Sequence, residues 1–122
     1  GLIFVAGVDD DAAKRYGLSQ GRTEGDLLSQ APVDRFVLLL KHRPHLVPQG
    51  QRGFDLQLSG HTHGGQIFPF SLFVKMLYPE YAGLMELEGG KHLYVSRGCG
   101  TWGPPIRLFA PPEITIIDLV HG

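Results

Sequence analysis

Along the first sixty residues, apolar runs of strand length are separated by polar segments, whereas the second half alternates apolar and polar positions. Leu2 to Ala6 is an unbroken apolar run that predicts a buried strand, and Gly7-Val8-Asp9-Asp10-Asp11 predicts a turn with carboxylates suited to capping a helix over Ala12 to Leu18. Thr23 with Asp26 three residues on has the form of a capping box ahead of Leu27-Leu28, which predicts a second short helix ending near Pro32. Arg35 to Lys41 encloses Phe36-Val37-Leu38-Leu39-Leu40, a run that suits a strand covered on both faces. Pro44 and Pro48 end regular structure, and a third strand is predicted from Phe54 to Ser59. Further on, Leu84 to Glu88 alternates, Gly89-Gly90 is a hairpin turn signal, and Lys91 to Ser96 alternates again. Arg97 to Pro105 is a glycine- and proline-rich loop, and Glu113 to Leu119 predicts a last strand.

No repeat or linker composition interrupts the 122 residues, so a single α/β unit follows, with a mixed sheet and a carboxyl-terminal antiparallel hairpin. With 43% hydrophobic residues the chain can bury a core. Eleven basic residues against twelve acidic ones give a net charge of -1, which gives no footprint for nucleic acid. The single cysteine, Cys99, has no disulfide partner in the chain. No apolar run approaches the roughly 20 residues of a membrane-spanning helix, and no signal peptide is seen. The chain starts at Gly1 and enters directly into a strand, which reads as a piece of a longer protein.

The informative chemistry is Ser59-Gly60-His61-Thr62-His63-Gly64-Gly65-Gln66, two histidines one residue apart in a glycine-rich loop after the third strand. Imidazole is the commonest protein metal ligand, and Gly60, Gly64 and Gly65 permit the backbone turns that a ligand loop needs. His42 closes the neighbouring strand, so two adjacent strands deliver histidines to one edge. A surface turn with solvated histidines, and a His42 that merely ends its strand, are the competing readings.

Leu-Ser-Gly-His61-Thr-His63-Gly-Gly-Gln66, preceded by Leu-Leu-Lys-His42-Arg-Pro and followed by Tyr94-Val95-Ser96-Arg97-Gly98 and Pro112-Glu113-Ile114-Thr115, resembles the carboxyl-terminal half of a calcineurin-like metallophosphoesterase. More narrowly, it is similar to a bacterial branch whose members often carry an amino-terminal membrane segment and act on phosphodiesters or lipid-linked pyrophosphates. The resemblance covers nearly the whole chain, from Gly7-Val8-Asp9-Asp10 to the last predicted strand, is specific in the Gly-His-Thr-His-Gly-Gly loop, and makes residues 1–122 the carboxyl-terminal portion of one such domain. It implies part of a four-layered α/β/β/α sandwich with the site at the strand ends. It further implies that His42 and His61 bind one metal of a two-metal pair and His63 the other. Such a pair activates a hydroxide for attack on a phosphomonoester, phosphodiester or lipid-linked pyrophosphate. Zinc, manganese and iron all suit the imidazoles.

The departures matter equally. The family's remaining ligands come from Asp-x-His, Gly-Asp and Gly-Asn-His motifs, for which the resemblance finds no counterpart in this chain, and the chain contains no asparagine at all. The expectation is therefore half of an active site: an isolated chain with little or no hydrolase activity, completed by a missing amino-terminal half and prone to self-association. The rival is a non-catalytic, metal-stabilised interaction module. Localisation stays open, with membrane association of the parent implied by resemblance alone.

The other candidates divide as follows. His45, His92 and His121 lack a second ligand at metal spacing and read as ordinary histidines, and Asp9, Asp10 and Asp11 read as capping and solvated carboxylates. Cys99 has no feature that activates its thiol. Arg97 is evenly balanced between holding a substrate phosphate and forming an internal salt bridge. Trp102, Pro104, Pro105 and Phe109 form either an apolar rim for a lipid- or sugar-linked substrate or packing beneath a loop, and Ile67 to Tyr78 faces a membrane, a greasy substrate or the missing half.

Overall fold

The computed structural model describes residues 3–18, 21–47 and 53–120. It contains β1 (Ile3–Val8), α1 (Ala12–Arg15), α2 (Glu24–Leu28), β2 (Phe36–Lys41), β3 (Leu56–Ser59), α3 (Phe70–Leu77), β4 (Gly83–Leu87) and β5 (Lys91–Val95), with short 3₁₀ turns at His63–Gly65 and Glu88–Gly90. The strands form one five-stranded sheet in the order β1-β2-β3-β5-β4. The first four in that order run parallel, and β4 is antiparallel to β5, so the predicted mixed sheet with a carboxyl-terminal hairpin is present.

Side chains alternate across this sheet, and one face is covered. Ala6, Val37 and Leu39 pack with Leu28, Ala31 and Phe54 into the core. α2 is fixed over that face at its start: Thr23 Oγ1 accepts from the Asp26 amide at 3.1 Å while Asp26 accepts from the Thr23 amide, the reciprocal capping box expected from the sequence. Lys41 Nζ, at the end of β2, reaches Glu24 of α2 at 2.7 Å, both side chains being largely shielded.

The other face corrects the expectation that Phe36–Leu40 is covered on both sides. Val37 and Leu39 are 0% exposed, whereas Phe36 and Leu40 are 38% and 41% exposed, and Ile3 and Val5 of the neighbouring β1 also meet solvent, as does Leu84 on the same face of β4. The described residues supply no helix over this face.

Two further expectations change. α1 ends at Arg15 instead of continuing to Leu18: none of its residues is buried, and Gly17 turns left-handed at φ +68° while the Leu18 amide bonds back to Ala13. Residues 113–119 are not a strand. Ile114, Ile116 and Val120 are exposed, and a strand needs a partner ladder that no described segment gives them. The segment is held instead by side chains: the Tyr94 hydroxyl bonds Glu113 and Thr115, and Arg97 pairs with Glu113. The amino-terminal residue of the first predicted strand, Leu2, and the predicted break at Pro48 lie outside the described residues.

Candidate metal site

Because β2 and β3 are parallel neighbours, the residues that follow them leave the sheet at the same edge. His42 directly follows β2, and His61 follows β3 after Gly60, whose amide donates to the His42 carbonyl at 3.0 Å. The two rings meet edge to face with centroids 4.9 Å apart, and His42 Nε2 lies 3.0 Å from His61 Nδ1. Two imidazole nitrogens on one tetrahedral zinc, each about 2.0–2.1 Å from the ion, sit about 3.3 Å apart, so this pair is close to ligand spacing. Beside them an open depression of about 540 Å³ is lined by Gly7, Val8, Leu40, His42, Leu58 and Gly60 among others, and it continues onto the bare sheet face.

Charged and aromatic groups frame the pair. Asp10 Oδ2 lies 3.5 Å from His42 Nε2, while Asp10 Oδ1 accepts from the Ala12 amide at 2.8 Å and from Arg43 Nε at 3.0 Å. Burial pulls the Asp10 carboxyl upward, but the Ala12 amide, Arg43 and His42 hold it below the usual carboxylate range. Burial lowers the His61 imidazole from its ordinary value, and the positive charge of Arg43 adds to the effect. His61 is therefore kept neutral near pH 7, with a lone pair to offer. Tyr78 stands edge-on to His61 at 5.6 Å and stacks on His45 at 5.0 Å. Sequence reasoning set His45 aside and missed Tyr78. The only signal for the latter was a polar-tipped ring at the end of a long apolar segment.

His63 is placed differently. No hydrogen bond or ring contact joins it to His42 or His61 among the described residues. It opens a 3₁₀ turn in which left-handed backbone recurs: φ is +71° at His61, +51° at His63, +61° at Gly64, +77° at Gly65 and +40° at Gln66. For a residue with a side chain this conformation costs about 1–2 kcal/mol, so the surroundings must enforce it. They do so closely. A Cβ at Gly65 would lie 2.5 Å from the Ser71 backbone, and one at Gly64 would lie 2.7 Å from Arg97 Cγ. The side chain of Gln66, which is buried, donates to the carbonyls of Trp102 at 2.7 Å and Pro104 at 3.2 Å and accepts from the Trp102 amide at 2.6 Å. Sequence reasoning missed this latch, because its partners are far along the chain.

His63 Nδ1 is buried without a hydrogen-bond partner. A buried imidazole nitrogen left unpaired is costly and suits a group that takes a ligand. The residues thus fit a divalent ion in their donor chemistry: a converging pair of imidazoles and one orphaned nitrogen. Among the described residues, no three His, Cys, Asp or Glu side chains come together closely enough to enclose one.

The remaining candidates fall elsewhere. Arg97 forms the internal salt bridge, with Nε and Nη2 each 2.6 Å from Glu113 Oε2, while its aliphatic stem packs against Gly64. His92 sits in β5 opposite Leu56 and Glu86, and Cys99 is exposed. Asp10 both accepts from the amide that opens α1 and pairs with Arg43. Trp102 and Phe109 are exposed, as are Phe70, Phe73 and Met76 of α3, and Phe68 meets Phe109 edge to face at 6.0 Å. No described helix is long and apolar enough to cross a membrane. His121 lies outside the described residues.

No family model matches this chain. No solved structure matches it either. Curated relatives do. An uncharacterized metallophosphoesterase of Aquifex aeolicus is 38% identical over 97% of this chain and 46% of its own length. One of Campylobacter jejuni is 44% identical over 98% of this chain and 32% of its own length. A zebrafish protein, Danio rerio "Transmembrane protein with metallophosphoesterase domain", is 36% identical over 96% of this chain and 28% of its own length. The chain therefore spans less than half the length of these relatives. With a mixed α/β sheet of the expected kind and likeness along almost all its residues, the chain belongs to the metallophosphoesterase family.

Proposed function

We propose that this chain is the carboxyl-terminal portion of a metal-dependent phosphoesterase and that it contributes His42, His61 and His63 as metal ligands. The observation that carries the reading is the 3.0 Å approach of the His42 and His61 ring nitrogens at the carboxyl edge of parallel strands. The orphaned Nδ1 of His63, one turn further on, is its support for a second ion. Divalent ions at such a site polarise phosphoryl oxygens and activate water. The chain's own part is to hold His61 neutral, to fix the two rings through the Gly60–His42 backbone bond, and to orient His42 beside Asp10.

The substrate class is a phosphomonoester, phosphodiester or lipid-linked pyrophosphate. The exposed aromatic residues of α3 and of the 102–109 loop favour a substrate with an apolar part. Arg97 contacts a phosphate only if it leaves Glu113, so its part is secondary. The depression beside His42 opens onto the bare sheet face, which places whatever covers that face beside the ligands. The missing amino-terminal half is the proposed cover, supplying the carboxylate and asparagine ligands that this chain lacks. Without that half, the bare face favours self-association of the chain, and a strictly monomeric species in sedimentation would count against this.

The test is manganese or zinc binding by calorimetry together with hydrolysis of a chromogenic phosphodiester, using the full-length protein and its His61→Ala/His63→Ala variant. Loss of both in the variant is the expected result. A variant that binds and hydrolyses like the parent would remove the ligand assignment, and robust metal-dependent turnover by the 122-residue chain alone would remove the half-site reading.

A further inference from the structure

Arg107 lies 44 residues beyond His63, yet its side chain reaches the histidine turn. Nη1 donates to the His63 carbonyl at 3.2 Å and to the Ala110 carbonyl at 3.0 Å. Nη2 donates to the carbonyls of Arg97 at 2.9 Å and Gly98 at 3.1 Å, and it also touches the Gly100 carbonyl. Nε donates to Gly100 at 3.0 Å. A guanidinium has five N–H donors in a rigid planar fork, and here each of its three nitrogens is engaged with main-chain oxygen. No carboxylate pairs with it among the described residues.

A cation held only by carbonyl groups gathers them to itself. Four of those carbonyls belong to the 97–110 loop, and the fifth is that of His63, the residue at φ +51°. The strained turn is thereby tied at the main chain of His63, the one histidine among the described residues whose ring nitrogen is buried and unpartnered. We infer that Arg107 is a positioning residue for His63, clamping its carbonyl so that the imidazole is held ready for a metal ion. This rests on the ligand assignment proposed above. Groups behind metal ligands typically change metal affinity about ten- to a hundredfold when they are removed. Lysine cannot replace the clamp, since an ammonium offers three donors around a point and not a planar fork.

The experiment is a manganese titration by calorimetry of the full-length protein and of R107A, R107K, H61A, H63A and the R107A/H63A double variant, with apo thermal midpoints recorded alongside. R107A and R107K are expected to weaken manganese binding about tenfold or more, and R107A is expected to have no further effect once His63 is alanine. R107K keeps the charge and most of the volume, so it serves if R107A does not fold. A loss that is the same in the presence and absence of His63 would make Arg107 a general support of the loop and overturn the inference. So would wild-type affinity in R107K. If instead H61A and H63A bind as tightly as wild type, the ligand assignment itself has failed and Arg107 falls with it. If they bind weakly while R107A and R107K bind normally, Arg107 alone has failed.

Discussion

On one side of the sheet, Ala6, Val37 and Leu39 are sealed beneath Leu28, Ala31 and Phe54; on the other, Ile3, Val5, Phe36 and Leu40 meet solvent although they are as apolar. The strands are the same, and the side chains differ only by the one-residue alternation of the pleat. What separates the faces is the supply of cover. The 24–31 segment has caps, a salt bridge and leucines for one side, and the described residues have nothing equivalent for the other. A sequence of apolar residues thus specifies a demand for burial without saying where the partner surface comes from.

The sharpest break between the faces is expected from Leu39→Ala. At a fully buried position this substitution should cost about 2–5 kcal/mol, read as a shift in the urea midpoint. A cost below about 1 kcal/mol would mean that the covered face is not a packed core. Next, Lys41→Ala removes an ion-pair partner of Glu24 where both side chains are largely shielded and should cost about 3 kcal/mol, with unchanged stability showing that α2 needs no such tether. Thr23→Ala removes one half of the capping box, for an expected loss of about 1 kcal/mol in the same measurement.

A smaller and pH-dependent effect belongs to the bare side, where the 113–115 segment is tied to Tyr94. The Tyr94 hydroxyl, with help from Arg97 and Thr115, lowers the Glu113 carboxyl below its ordinary value against the opposing effect of burial. The folded value is thus below the unfolded one. Glu113 therefore contributes stability that is fully present above the ordinary glutamate range and is lost as pH falls through the lowered value. Glu113→Gln should flatten that acid limb of the stability profile, and an unchanged limb would mean that Glu113 does not hold the segment. The smallest effect is expected for Val5→Ser in the 122-residue chain, within about 0.5 kcal/mol, because the residue is already exposed. In the full-length protein the same substitution should become costly, and an equally small effect there would argue that this face stays uncovered.

How much was legible follows the same division. The Phe36–Lys41 and Leu56–Ser59 strands, the Gly89-Gly90 hairpin and the Thr23–Asp26 cap could be read because each depends on residues within a few positions of one another. The meeting of His42 with His61 could be read because parallel neighbours share an exit edge. The 113–119 segment has strand alternation, but a strand is made by its partner, and none is present among the described residues. The contacts of Gln66, Tyr78 and Arg107 were not legible, since glutamine, tyrosine and arginine outside regular elements carry no periodic signal, and their partners are fixed only by the folded path of the chain.

The sheet register also bears on the order of events in folding. β4 and β5 meet across a tight turn, with Leu87 opposite Lys91, so the hairpin closes on the microsecond scale of local structure. Ile3 must find Phe36, and Leu56 must find His92, across long stretches of chain, and such distant parallel pairings form slowly. His42 and His61 come together only once β2 and β3 have joined as one of these parallel pairings. Metal added at the start of refolding should therefore leave the folding rate nearly unchanged while slowing unfolding, a signature of a ligand that arrives after the transition state and locks what has already been built.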